Sequence, residues 1–225
     1  MIVVVIAGRP LGLGPAEQAN AILMAYQGST EAGQAVADAI FGNIDPSGHL
    51  PVTWPSDAPS PGGDFQTGAP SPLGDQPKVF DQLPYTGSGQ GSGYNPLYPF
   101  GYGLSYTSFD VTGLSATPSV SRTGTVTASF TVANSGTVAG TDVVPVYVHQ
   151  PVSAVVVPPQ RLVGWARVTL DPGQSKAVQV SFPASSLAVT PGDIAGIAPP
   201  QVELGAYQAQ IGTPATLSAD FTIHS

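Results

Sequence analysis

"TVTASFTV", residues 125–132, alternates Val126, Ala128, Phe130 and Val132 with Thr and Ser. A period of two marks a strand with one face buried and one face in water. The same period returns in "DVVPVYVHQ" (142–150), "RLVGWARVTL" (161–170), "AVQVSF" (177–182), "GAYQAQIG" (205–212) and "ADFTIH" (219–224). Turn signals such as "ANSGT" and "DPGQ" separate several of these runs, and no helical period intervenes. Six short strands after Phe109 predict an antiparallel β-sandwich over residues 104–225. A lone Trp in such a strand is more often core than ligand platform, so Trp165 is expected inside, as is Trp54.

Residues 1–54 read differently. "IVVVI" (2–6) is a continuous apolar run of the kind buried on both faces of a parallel sheet. A second apolar run covers Ala21–Tyr26, and "QGSTEAGQAVADAIFGN" follows with helical spacing. There Ser29 is the expected N-cap, Glu31 lies in the first turn, Val36 and Ile40 share a face, and Gly42 suits the C′ position. "HLPVTW" (49–54) completes a strand–loop–strand–helix–strand order, which predicts an α/β fragment with a partial parallel sheet. A buried-type strand at residue 2 also predicts a preceding segment to cover it. In "GRPLGLG", Gly12 and Gly14 begin a dinucleotide-type loop, but Glu17 occupies the third glycine position and Pro15 interrupts the helix entry. A structural loop is the expectation, with Arg9 in a salt bridge or carbonyl contact.

Residues 55–103 form the connection. Residues 55–94 are rich in Pro, Gly, Ser and Asp, with Phe65, Phe80 and Tyr85 spaced through them, which predicts a long ordered loop lying along a surface. "NPLYPFGYGLSYTSF" (95–109) then packs aromatics, prolines and glycines into an uncharged stretch too stiff for a flexible linker.

Charged residues make up 9% of the 225, and the formal net charge is −8 with only six Lys and Arg. The six are scattered singly, which argues against nucleic acid and against an anionic membrane surface as partners. The chain has no cysteine, so disulfides and thiolate metal sites are excluded. No apolar run has the length of a membrane span. His49, His149 and His224 lie far apart without ligand spacing, so they read as ordinary surface or loop histidines and no metal site is predicted. No G-x-S-x-G occurs, and no nucleophile stands beside a base in the sequence. No cofactor is implied.

The segments "VVVIAGRPLGL", "AILMAYQGSTEAGQAVADAIFG", "DPSGHLPVTWP" and "YPFGYGLSYTSF" resemble, in this order, the C-terminal half of family 3 glycoside hydrolases, the β-glucosidase and exo-glucosidase group. "GTDVVPVYVHQP" and "RLVGWARVTLDPGQS" are similar to the fibronectin III-like domain that follows in many members. The absence of a Cys–Trp–Cys signature also favours the fibronectin III over the immunoglobulin version of the sandwich. The resemblance implies that 1–54 end the α/β sandwich domain, 55–103 form a junction and 104–225 form the fibronectin-like domain. It further implies a parent enzyme, often secreted, that acts on a β-glucoside or oligosaccharide with retention. It places the nucleophile Asp and the acid/base Glu upstream of residue 1, in N-terminal domains that would then be this chain's partners. No catalytic residue is therefore expected within 1–225. Glu31 is the tempting substitute, but its place at a helix start favours a structural role. The alternative is a stand-alone β-sandwich that binds carbohydrate or protein without catalysis.

Overall fold

The computed structural model describes residues 1–52, 54–55, 96–192, 198–212 and 215–225. They fall into two units, Met1–Tyr106 and Thr107–Ser225. Residues 56–95, with Phe65, Phe80 and Tyr85, lie outside the described residues, and so does most of the expected ordered loop.

In the first unit, β1 (Ile2–Val5) pairs in parallel with β2 (Ala21–Met24), from Ile2 opposite Ala21 to Val5 opposite Met24. The helix α1 (Ala32–Ile40) follows, with Ala39 buried and Gly42 just beyond it at φ +76°. That left-handed conformation is the one a C′ glycine adopts without strain. The start of the helix differs from expectation. Glu31, not Ser29, is the N-cap, and neither side chain caps an N–H; Ser29 contributes only its carbonyl, to the Ala32 amide. Gly28 explains the tight entry, because a Cβ there would lie 2.2 Å from the Ala32 Cβ.

A second correction concerns "HLPVTW". Among the described residues it adds no third strand to the parallel sheet; Trp54–Pro55 (β3) are extended and pair antiparallel with Pro96–Tyr98 (β4). Pro51 and Pro55 carry no N–H for a ladder. Leu50 instead exchanges backbone hydrogen bonds with the glycine-rich turn, its N–H to the Tyr102 carbonyl and its carbonyl from the Gly101 N–H, both at 2.8 Å.

The second unit is built from β5 (Phe109–Ala116), β6 (Ser119–Ser121), β7 (Thr125–Asn134), β8 (Gly140–His149), β9 (Arg161–Leu170), β10 (Ser175–Pro183), β11 (Gly205–Ile211) and β12 (Leu217–His224). They form a three-stranded sheet, β10-β7-β5, and a five-stranded sheet, β6-β12-β11-β8-β9. The pairing is antiparallel except for β6, which runs parallel to β12 and corrects the all-antiparallel expectation. The cause is Pro118. It interrupts the ladder between β5 and β6, so the chain leaves one sheet and its next strand joins the other edge-on. The strand β5 carries its own irregularity, with Gly113 at φ +68° and a register shift between Thr112 and Ser115.

Side chains of both sheets meet in the core. Val126 and Phe182 pack with Tyr207, Phe221 and Ile223, while Phe130 and Val132 pack with Val144, Val146 and Ile211. Val126, Val132 and Val146 are wholly buried, and each such side chain contributes on the order of 1.5–3 kcal/mol relative to exposure. Tyr207 stacks on Phe221 at 5.5 Å between ring centres and donates its hydroxyl to the Glu203 carbonyl at 2.8 Å. A Tyr that reaches back from the strand to the backbone just upstream is the corner contact of immunoglobulin-like sandwiches.

Candidate functional site

At the carboxyl ends of β1 and β2 the chain places the loop with Arg9, Gly12 and Gly14 and the turn with Tyr26, Gln27 and Glu31. Gly14, at φ +52°, opens a short 3-10 helix, Gly14–Gln18, and not the long helix a dinucleotide loop requires. Arg9 and Glu31 are both exposed. Tyr26 is the one non-glycine residue with positive φ, +52°, among those described. Burial raises its phenol pKa, and its ring meets Trp54 edge-on at 6.2 Å. Trp54 is 1% exposed and donates its indole N–H to the Leu11 carbonyl at 2.8 Å, a core role as expected.

The aromatic turn after β4 is clamped within the same unit. Asp45 accepts Ser105 Oγ at 2.8 and 2.9 Å and the Tyr106 N–H at 2.7 Å, while the Tyr106 hydroxyl reaches the Ala39 carbonyl at 2.6 Å. His49 Nδ1 lies 2.8 Å from the Gly101 carbonyl. Gly103 passes so close that a Cβ would stand 2.7 Å from the Gly48 carbonyl oxygen. The stiffness of "YPFGYGLSY" therefore serves a fixed docking of this turn on Asp45–Leu50. Ser105 thus donates straight to the Asp45 carboxylate, and His49 Nδ1 is engaged by a backbone carbonyl.

In the second unit Trp165 overturns its expected place in the core: it is 65% exposed. It lies on the outer face of the edge strand β9, directly opposite Pro145 of β8, with Arg167 and Thr169 next along the same face. A register shift between Val146 and Tyr147 inserts Val163 as an extra residue. Val163 therefore faces the core, as does Gly164, where a Cβ would come within 2.6 Å of Val180 Cγ1. On β11 the outward Gln208 donates to Asp220, and Gln210 accepts from the buried Gln160 at 3.1 Å.

The connection between β8 and β9 is held at both ends. The Glu203 carboxylate accepts from Gln150 Nε2, Ser153 Oγ and the Ala154 N–H at 2.5, 2.6 and 2.8 Å. His149 Nδ1 lies 2.8 Å from the Pro159 carbonyl. His224 is exposed beside the C-terminus.

Among the described residues two carboxyl groups have displaced pKa values, and both move down. Hydrogen bonds from Asn43 and Gln34 lower Asp38, and hydrogen bonds from Ser153 and the Ala154 N–H lower Glu203. A proton donor at neutral pH needs the opposite displacement. Among the described residues no three His, Asp or Glu side chains gather where they could hold a metal ion.

Residues 1–106 match the glycosyl hydrolase family 3 C-terminal domain, and residues 142–215 match the fibronectin type III-like domain. The chain matches the C-terminal part of the family 3 glycoside hydrolases. Among curated relatives of this group, the periplasmic β-glucosidase of Salmonella typhimurium is 38% identical over 81% of the chain and 24% of its own length. A β-xylosidase of Formosa agariphila is 34% identical over 94% of the chain and 28% of its own length. Among solved structures, a β-glucosidase of Erythrobacter marinus superposes with TM-score 0.73 at 30% identity, over 99% of this chain and 28% of its own. β-Glucosidase 3B of Thermotoga neapolitana, in complex with α-D-glucose, gives TM-score 0.75 at 26% identity, over 100% of this chain and 31% of its own. The chain thus spans about a quarter of the length of the curated relatives.

Sequence reasoning missed Asp45 and Glu203, whose partners lie sixty and fifty residues away in the chain. No local spacing could show those contacts. The exposure of Trp165 had a signal: it shares strand parity with Arg167 and Thr169.

Proposed function

We propose that this chain is the C-terminal scaffold of a β-glucosidase-type glycoside hydrolase that cleaves terminal β-linked glucose with retention. Retaining hydrolysis divides its work between a nucleophile and an acid/base held about 5–5.5 Å apart. On this reading both carboxyl groups belong to the parent enzyme outside residues 1–225, and its substrate is a β-glucoside or oligosaccharide. Residues 1–54 then complete an α/β domain, 55–103 join, and 104–225 form the fibronectin III-like domain. The observation that carries the reading is the engagement of four of the described carboxylates: Asp38, Asp45, Glu203 and Asp220 accept hydrogen bonds from neutral donors that hold turns, loops and strands. The names of the relatives support the substrate class.

The test is release of phenolate from an aryl β-glucoside. The purified chain should show no turnover above buffer, and activity should appear when a relative's remaining N-terminal portion is supplied in trans. Turnover by the chain alone that vanishes in Glu31→Gln would overturn the proposal. The exposed Trp165 favours a second reading, a β-sandwich that also binds saccharide.

A further inference from the structure

One exposed apolar side chain is ordinary on a protein surface. Trp165 differs in how it is set. The extra residue Val163 and the side-chain-free Gly164 let β9 lie close against Val180, so the indole stands outward on an otherwise regular edge strand. Bulges of this kind often re-aim a side chain at a functional surface. Directly across from the indole is Pro145, a second rigid ring without an N–H. Along the same face the next rung is Arg167 opposite Val143, and the one after joins the Thr169 and Thr141 hydroxyls at 2.8 Å. An exposed indole paired with a proline thus lies two residues, roughly 7 Å, from a fork of guanidinium donors.

We propose that this face, centred on Trp165 with Pro145 and Arg167, binds a neutral saccharide. The pyranose C–H face lies on the indole, and the guanidinium and threonine hydroxyls bond the sugar hydroxyls. Charge selects this ligand over the alternatives. The chain carries a formal −8, which repels a polyuronate, and a wholly apolar protein partner would leave the Arg167 guanidinium desolvated without an acceptor. A polyhydroxylated ligand supplies acceptors without adding charge. The site goes beyond the scaffold role and does not depend on it, since binding without hydrolysis requires no catalytic carboxylate.

The experiment titrates the full chain with cellohexaose by isothermal calorimetry, and follows Trp165 by iodide quenching, Trp54 being buried. Saturable binding in the millimolar range or tighter is expected, with Trp165 shielded from iodide. Trp165→Ala should weaken binding by about tenfold or more, Trp165→Phe by less, and Arg167→Gln by about threefold to tenfold, the three variants keeping the parent circular dichroism. Should Trp165→Ala fail to fold, Arg167→Gln carries the test. No heat or shielding up to about 10 mM cellohexaose overturns the proposal. So does unchanged affinity in both Trp165→Ala and Arg167→Gln, or tighter binding of polygalacturonate than of cellohexaose. Concentration-dependent shielding of Trp165 without saccharide, with a dimer in sedimentation, would assign the face to a second copy instead. Because hydrolysis is not measured, failure here leaves the trans-complementation result intact, and the reverse holds too.

Discussion

Replacing Asn134 with alanine should be the most damaging polar substitution in the β-sandwich unit. Asn134 is 1% exposed at the end of β7, and its amide is fully used. The oxygen accepts the Thr107 hydroxyl at 2.7 Å and the Gly136 N–H at 3.0 Å; the nitrogen donates to the Val138 carbonyl at 2.8 Å and the Leu170 carbonyl at 3.0 Å. A neutral hydrogen bond contributes about 1 kcal/mol net, and a buried group left unsatisfied costs about 1–3 kcal/mol. Thr107, Gly136 and Val138 are partly or wholly exposed and can recover water, so each of their bonds counts for about 0.5 kcal/mol. Leu170 is 1% exposed and its carbonyl has no such route, so it counts for about 1.5 kcal/mol, within the range for an unsatisfied buried group. The total is about 3 kcal/mol, which lowers the melting temperature of a unit this size by roughly 10 °C. Urea unfolding followed by Trp165 emission measures it. Asn134→Asp keeps the two acceptor contacts but turns an oxygen toward two carbonyls. Its carboxyl should titrate above the unfolded value, so its deficit is largest at neutral pH and shrinks as pH falls through the folded pKa. A loss under 0.5 kcal/mol in Asn134→Ala, or an Asp variant that gains stability with rising pH, would refute the reasoning.

Three further outcomes are expected. Glu203 is lowered by its hydrogen bonds, so its contribution is complete above the ordinary glutamate range and is lost as pH falls through its depressed folded value; hydrogen exchange at the Ala154 amide should lose protection on acidification, and at all pH values in Glu203→Ala. Gly164→Ala places a Cβ within 2.6 Å of Val180 Cγ1 and should cost about 1–3 kcal/mol in urea unfolding, partly relieved by Val180→Ala. Residues 104–225 expressed alone should give a dispersed amide NMR spectrum, and a collapsed one would count against that division of the chain.

The sandwich was legible because its signal is local. The strand β9 runs over Arg161–Leu170 as its alternation predicts, and β7 extends the predicted run by only two residues. The strand β5 escaped because Gly113 and the shift after Thr112 break the period inside it. In the first unit, apolar runs and spacing located β1, β2 and α1, but hydrophobicity alone made "HLPVTW" a sheet strand. Its prolines already argued otherwise, and its real partners, Gly101 and Tyr102, lie fifty residues downstream. Asp45 and Glu203 were invisible for the same reason: a carboxylate that latches a distant loop has no periodicity.

Trp165 is the instructive miss, since two rules conflicted and the weaker one prevailed. Bulk and aromaticity placed the side chain in the core. Parity placed it outside: Leu162, Gly164, Ala166, Val168 and Leu170 occupy one set of alternate positions, and Arg161, Trp165, Arg167 and Thr169 the other. Only Val163 breaks the second set, and it marks the bulge, beyond which Leu162 lies opposite the buried Tyr147 while Val163 packs into the core. Along a strand the side-chain direction is fixed by the backbone, so a large apolar residue in a polar register points to solvent whatever its transfer free energy. What decides its role is then the company it keeps on that face, and Pro145, Arg167 and the Thr141–Thr169 pair make it a place where a sugar ring can lie.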